Sequence, residues 1–172
     1  MSDLSDMPVS PDEETAQGTG DFLGAYLETL SMVERLHRLL LDVIKDEFER
    51  LRVIDINPVQ ALLLFNVGDA VVTAGELKSR GYYQGSNVSY NLKKLVDAGY
   101  MHHERCVADR RAVRVQLTER GREIRDIVSS LFERHAQGIL RRGVLPSGRI
   151  GEINADLRGV ETYWTEQIRY IY

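Results

Sequence analysis

The sequence predicts a mainly α-helical chain with one small β-hairpin, an α+β fold in which helices flank a helix-turn-helix and its wing. Three observations carry this expectation. Residues 73–99 divide into two short helical patterns separated by the Gly-bounded turn GYYQG. Residues 100–108 (YMHHERCVA) and 113–118 (VRVQLT) are strand-like runs rich in β-branched and aromatic residues, with Asp109, Arg110 and Arg111 at the turn between them. The flanking stretches 21–51 and 119–172 keep apolar residues at helical spacing.

Taken in order, residues 1–20 contain Asp3, Asp6, Asp12, Glu13 and Glu14 without a Lys or Arg, and are interrupted by Pro8, Pro11, Gly18 and Gly20. That composition predicts an acidic, flexible tail. Residues 21–172 then read as a single domain. Its first long helix spans 21–51, with a stripe of Tyr26, Leu30, Val33, Leu36 or His37, Leu40, Ile44, Phe48 and Leu51. Phe22, Leu23, Leu27, Leu39 and Leu41 add apolar side chains on other faces. Surface of that kind needs more cover than one small domain offers, so a helical homodimer interface is expected. His37 reads as a core or interface histidine. Asn57, Pro58 and Gln60 form a capping box with proline at the first helical position, opening a buried helix over 58–67. Gly68-Asp69 turns the chain into a short strand, Val71-Val72, expected to pair with the wing.

Thr73 and Glu76 form a second capping box, for a helix over roughly 74–80 that ends at Gly81. Ser86 is a candidate cap for the helix SNVSYNLKKLVDAG, which Gly99 ends. Val88, Leu92, Leu95 and Val96 share one face of it. Asn87, Tyr90, Asn91 and Lys94 share the opposite face, flanked by Ser89 and Lys93. No acidic residue interrupts positions 87–94. Asn can pair bidentately with adenine, Ser and Tyr can bond base edges or phosphates, and Lys can reach guanine or phosphate. A plain solvated helix offers a similar face, so the hairpin behind it matters: a basic tip is placed to enter a narrow minor groove. After the wing, Thr118 caps a helix over 119–141 with a stripe of Ile124, Ile127, Val128, Leu131, Phe132 and His135. Pro146-Ser147 opens the last helix, whose stripe is Ile150, Ile153, Leu157, Val160, Trp164, Ile168 and Ile171.

The net charge of −4 hides an asymmetry. Residues 73–118 carry eight basic and four acidic residues, a net +4 that leaves −8 for the remainder. A positive module on a negative body suits local attraction to nucleic acid. No run of about 18 apolar residues and no signal-peptide pattern occurs, so no membrane association and a cytoplasmic location are expected. The single cysteine, Cys106, excludes an intramolecular disulfide framework. It reads as a small strand residue; a redox role would need Arg105, Arg110 and Arg111 to lower its pKa. No G-x-S-x-G, H-E-x-x-H, phosphate-loop or dinucleotide pattern appears, so neither an enzyme nor a cofactor is expected. His102, His103, Glu104 and Cys106 alternate between faces of a strand and do not compose a metal site.

The run from Gly75 to Ile124 resembles the MarR family of winged-helix transcriptional regulators. The resemblance is carried by Leu95-Val96-Asp97-Ala98-Gly99-Tyr100, by Asp109-Arg110-Arg111 at the wing and by Leu117-Thr118-Glu119-Arg120-Gly121. It implies that 57–118 is the DNA-reading part and that 21–51 and 119–172 are dimerisation helices. It implies that Arg111 enters the minor groove, with Asp109 orienting it, and that the residues after Ser86 read bases. A homodimer would then read a pseudo-palindromic operator in double-stranded DNA, with half-sites about one helical turn apart. The resemblance further implies a small aromatic or phenolic effector in a crevice that Tyr26, Leu30, His37, Phe65, Tyr82 and Tyr83 would line. Hydroperoxide-sensing relatives carry a reactive cysteine near the N-terminus, and this chain has none there. The competing reading is a winged-helix module that binds protein rather than DNA.

Overall fold

The computed structural model describes residues 11–79, 85–105 and 113–171. The elements are α1 (Pro11–Leu51), α2 (Pro58–Val67), β1 (Val72–Thr73), α3 (Ala74–Ser79), α4 (Gly85–Asp97), β2 (Met101–Arg105), β3 (Val113–Leu117), α5 (Glu119–Arg141) and α6 (Ser147–Ile171). The chain divides into two compact units at Val59 and Gln60.

The first unit is dominated by α1, whose 41 residues correspond to a rod of about 60 Å. It begins at Pro11, so the part of the expected tail beyond Ser10 is helical instead. The reason is local. A proline in the first helical turn lacks an N–H that would have no intrahelical partner anyway, and the glycines at 18 and 20 weaken a helix without ending it. At its other end Arg52 adopts φ 58°, while Val53 N donates to Phe48 O at 2.9 Å and Arg52 N to Glu49 O at 3.2 Å. This is a Schellman ending with arginine in the left-handed position that glycine usually takes. Ile44 and Phe48 are buried, whereas Phe22, Leu27, Val33 and Leu36 are exposed in the chain. The apolar stripe therefore extends well beyond what the single chain covers. Arg50 forks onto Glu47 with contacts of 2.8 and 2.7 Å, and the Glu47 carboxylate holds the Arg50 guanidinium above its ordinary range.

In the second unit α2 buries Ala61, Leu62, Leu63, Leu64 and Val67. The sheet is antiparallel with order β1-β3-β2. Val72 pairs with Val115, and Met101 with Leu117. Strand alternation puts Met101, Val115 and Leu117 in the core and leaves His102, Glu104, Arg114 and Gln116 exposed. β1 lies one residue beyond its expected place, so Thr73 both ends the strand and caps α3. The capping box is reciprocal: Thr73 N donates to Glu76 Oε2 at 2.5 Å, and Glu76 N to Thr73 Oγ1 at 3.1 Å. α4 packs against α3 and β2, and α5 meets β3. α5 buries Ile124, Val128 and Leu131, and Phe132 meets Phe65 edge-on at 5.0 Å. His135, assigned to the same stripe, is exposed because it falls beyond the buried part of the helix. Arg125 is ion-paired with Asp126 and with Asp69 in the turn after α2, and these carboxylates hold its guanidinium above the ordinary range. α6 leaves Ile150, Leu157, Trp164 and Ile168 exposed. No described helix is long and apolar enough to cross a membrane.

Candidate nucleic-acid interface

The central element is α4. Leu92 and Leu95 are buried on one side, and Val96 is half-buried beside them. Ser89, Tyr90, Lys93 and Lys94 are exposed, while Asn91 is half-buried. The polar face expected from spacing is thus presented to solvent at four of its described positions. Asn91 lies nearer the packed side than the spacing implied. Lys94 Nζ lies 5.0 Å from the centre of the Tyr90 ring one turn earlier, and the Tyr90 hydroxyl holds the Lys94 ammonium above its ordinary range. A lysine in that state is charged at any physiological pH. Ser86 lies inside the helix, one position after its first residue Gly85, and not ahead of it. The expected cap and the observed start differ by an amount ordinary for helix ends. The side chains of Ser86 and Asn87 lie outside the described residues. So do Tyr82, Tyr83, Cys106 and the wing tip Asp109, Arg110 and Arg111.

Two features seat α4. Gly99 has φ 77°, Tyr100 N donates to Leu95 O at 2.9 Å and Gly99 N to Val96 O at 3.0 Å. This Schellman ending turns the chain directly into β2, with Tyr100 and Leu95 both buried. The second feature is the start of α5. Thr118 Oγ1 accepts from Gly121 N at 3.1 Å and donates to Gly99 O at 2.8 Å. Thr118 N donates to Tyr100 O at 3.1 Å, and Arg120 Nη1 donates to Ala98 O at 2.8 Å. A Cβ on Gly121 would sit 2.1 Å from Tyr100 O, so only glycine lets α5 approach this closely. The Leu-Thr-x-x-Gly run is therefore the joint between α5 and the end of α4. Sequence reasoning missed the roles of Tyr100 and Arg120. The available signal was a Gly-Tyr pair closing one helix and a Thr-x-Arg-Gly run opening the next.

Of the residues expected to line an effector crevice, Tyr26 stacks on Phe22 at 6.3 Å, Leu30 and Phe65 are half-buried, and His37 is exposed. His37 therefore does not serve the core of the single chain. A groove of about 400 Å³ runs between α4 and the wing sheet, with Leu92, Val96 and Val115 along it and Lys93, Asp97 and His103 at its sides. Among the described residues it shares none with the expected crevice. Among the described residues no three His, Cys, Asp or Glu side chains are grouped to hold a metal ion.

Residues 56–121 match a family model described as a winged helix DNA-binding domain. The chain is 39% identical, over 104 residues and 60% of its length, to the exopolysaccharide II synthesis transcriptional activator ExpG of Rhizobium meliloti (strain 1021). The match spans about half, 54%, of that relative. A MarR transcriptional regulator from Methanosarcina mazei Go1 superimposes with a TM-score of 0.63 at 20% identity, over 85% of this chain and 98% of that one. A mutant MarR from E. coli in complex with operator DNA gives a TM-score of 0.61 at 19% identity, over 79% of this chain and 95% of that one.

Proposed function

We propose that this winged-helix protein of the MarR type is a transcriptional regulator that binds a pseudo-palindromic operator as a homodimer. The observation that carries the reading is α4: an exposed face of Ser89, Tyr90, Lys93 and Lys94, without an acidic residue from Gly85 to Val96, inside a segment that matches a DNA-binding domain. Lys93, Lys94 and the wing arginines Arg110 and Arg111 supply sequence-independent attraction to phosphate. Asn87, Ser89, Tyr90 and Asn91 supply base readout, with Ser86 at the start of the same helix and Asp109 orienting Arg111. The exposed apolar side chains of α1 and α6 support the dimer, because side chains such as Phe22, Leu36, Trp164 and Ile168 are too many and too large to leave in water. A two-fold axis then places two copies of α4 on successive turns of the duplex. Access to DNA places the protein in the cytoplasm, and nothing in the reading requires catalysis.

Regulation by a small aromatic or phenolic effector belongs to the same proposal. A ligand that binds one spacing of the two reading helices better than another shifts DNA affinity by that difference and no more.

Selection of bound sequences from a random double-stranded pool tests the reading. An enriched inverted repeat supports it. A stable dimer that enriches nothing points instead to a protein partner.

A further inference from the structure

An α-helix leaves its last carbonyls without intrahelical partners. In α4 the carbonyls of Lys94, Leu95 and Val96 are taken by the backbone N–H groups of Ala98, Tyr100 and Gly99. Just past the end of α4, the carbonyls of Ala98 and Gly99 are taken by side chains of the α5 start, through Arg120 Nη1 and Thr118 Oγ1, both at 2.8 Å. Arg120 does a second thing at the same time. Its guanidinium carbon lies 4.3 Å from the centre of the Tyr100 ring, and Tyr100 is 2% exposed, so the ring is an immobile platform. A planar guanidinium can lay its face on a ring while donating an N–H to a carbonyl; an ammonium on a flexible stem cannot hold both in one geometry.

We propose that Arg120 is a positioning residue for DNA recognition: it straps the C-terminal end of α4 to the first turn of α5 and so fixes where the reading face sits. The role rests on the DNA-binding reading above. Thr118 contributes to the same joint, but it also caps α5, so its loss affects the helix itself. Arg120 is itself exposed, so its removal uncovers one face of the Tyr100 ring but takes no side chain out of the core. If α5 belongs to the dimer body, any rotation of that body reaches α4 through this joint, and the spacing between the two reading faces inherits its stiffness.

The test uses the full chain with Arg120→Ala and Arg120→Lys. Affinity is measured by fluorescence anisotropy over a salt series on three duplexes: the selected site, the same site with its half-sites moved by one base pair, and a random sequence. Hydrogen exchange of the Gly99 and Tyr100 amides is followed in parallel. Both variants are expected to lose roughly tenfold at the selected site, the size of one charge-assisted hydrogen bond. Binding to random DNA and the salt slope stay as in the wild type, the penalty for altered spacing shrinks, and the two amides exchange faster. Wild-type affinity in Arg120→Ala overturns the proposal. So does full rescue by Arg120→Lys, which would leave only charge at work. An equal loss on random DNA, with the slope reduced by about one, overturns it in favour of a phosphate contact. A wild type that enriches no duplex overturns the DNA reading itself, which the variants alone would not do.

Discussion

Gly121→Ala puts the joint between α4 and α5 to a test in which two effects of opposite sign compete. Alanine is the better helix former by about 1 kcal/mol, so on propensity alone the substitution stabilises α5. The geometry opposes it. The new Cβ would stand 2.1 Å from Tyr100 O, where real Cβ contacts do not fall below 3.0 Å, so one element must move by about 0.9 Å, the difference between the two. The obstructing atom is a backbone oxygen and cannot rotate away. A displacement of that size stretches the Thr118 N to Tyr100 O bond of 3.1 Å and the Thr118 Oγ1 to Gly99 O bond of 2.8 Å beyond useful length. Those losses cost about 1 kcal/mol each, and shifting a packed helix against Leu117 costs a further ~1–3 kcal/mol. The net expectation is destabilisation of about 2–4 kcal/mol. Gly138→Ala in the same helix is the control: nothing lies within 4 Å of its Cβ, so it should gain up to about 1 kcal/mol. Urea unfolding followed by circular dichroism, at fixed protein concentration, reads both. A Gly121→Ala protein as stable as the wild type would refute the close approach.

Other substitutions separate the remaining parts of the account. Asn91→Ala is expected to lose about 1–3 kcal/mol of affinity at the selected site and little on random DNA; equal losses would make Asn91 a positioning residue only. Arg111→Ala should weaken binding to every sequence and reduce the salt slope by about one, measured by anisotropy titration, and an unchanged slope would remove the wing assignment. Arg52→Gly relieves a left-handed arginine and should raise stability by about 0.5–1 kcal/mol in the same urea assay. Leu36→Glu together with Trp164→Glu should convert a dimer to a monomer in sedimentation equilibrium; a persistent dimer would locate the interface elsewhere on the chain.

What the sequence disclosed was mostly local. Residues 58–67 and 119–141 have the expected bounds because Pro58 and Thr118 mark helix starts by chemistry confined to one turn. The Thr73 and Glu76 capping box and the end of α4 at Gly99 are of the same kind. The start of α1 was not legible, because Pro11 serves equally as a breaker and as a first helical residue. The two-residue strand β1 shifted by one because its register is set by β3, about 40 residues away, and not by its own composition. For the reading face, spacing located Tyr90, Lys93 and Lys94 correctly on an exposed side but placed Asn91 too far from the packed side. The contact between Arg120 and Ala98, separated by 22 residues, carries no periodicity: the Gly-Tyr and Thr-x-Arg-Gly runs mark the two helix ends, and the fold shows that they meet.

The central claim is that α4 and its wing read DNA sequence, and a salt titration on two duplexes tests it most directly. Binding of the wild-type chain to its selected site and to a random duplex of equal length would be compared between about 50 and 200 mM salt. The account predicts that both affinities fall steeply with salt and that the selected site stays at least about a thousandfold tighter throughout. Equal affinity for the two duplexes, or binding indifferent to salt, would contradict it.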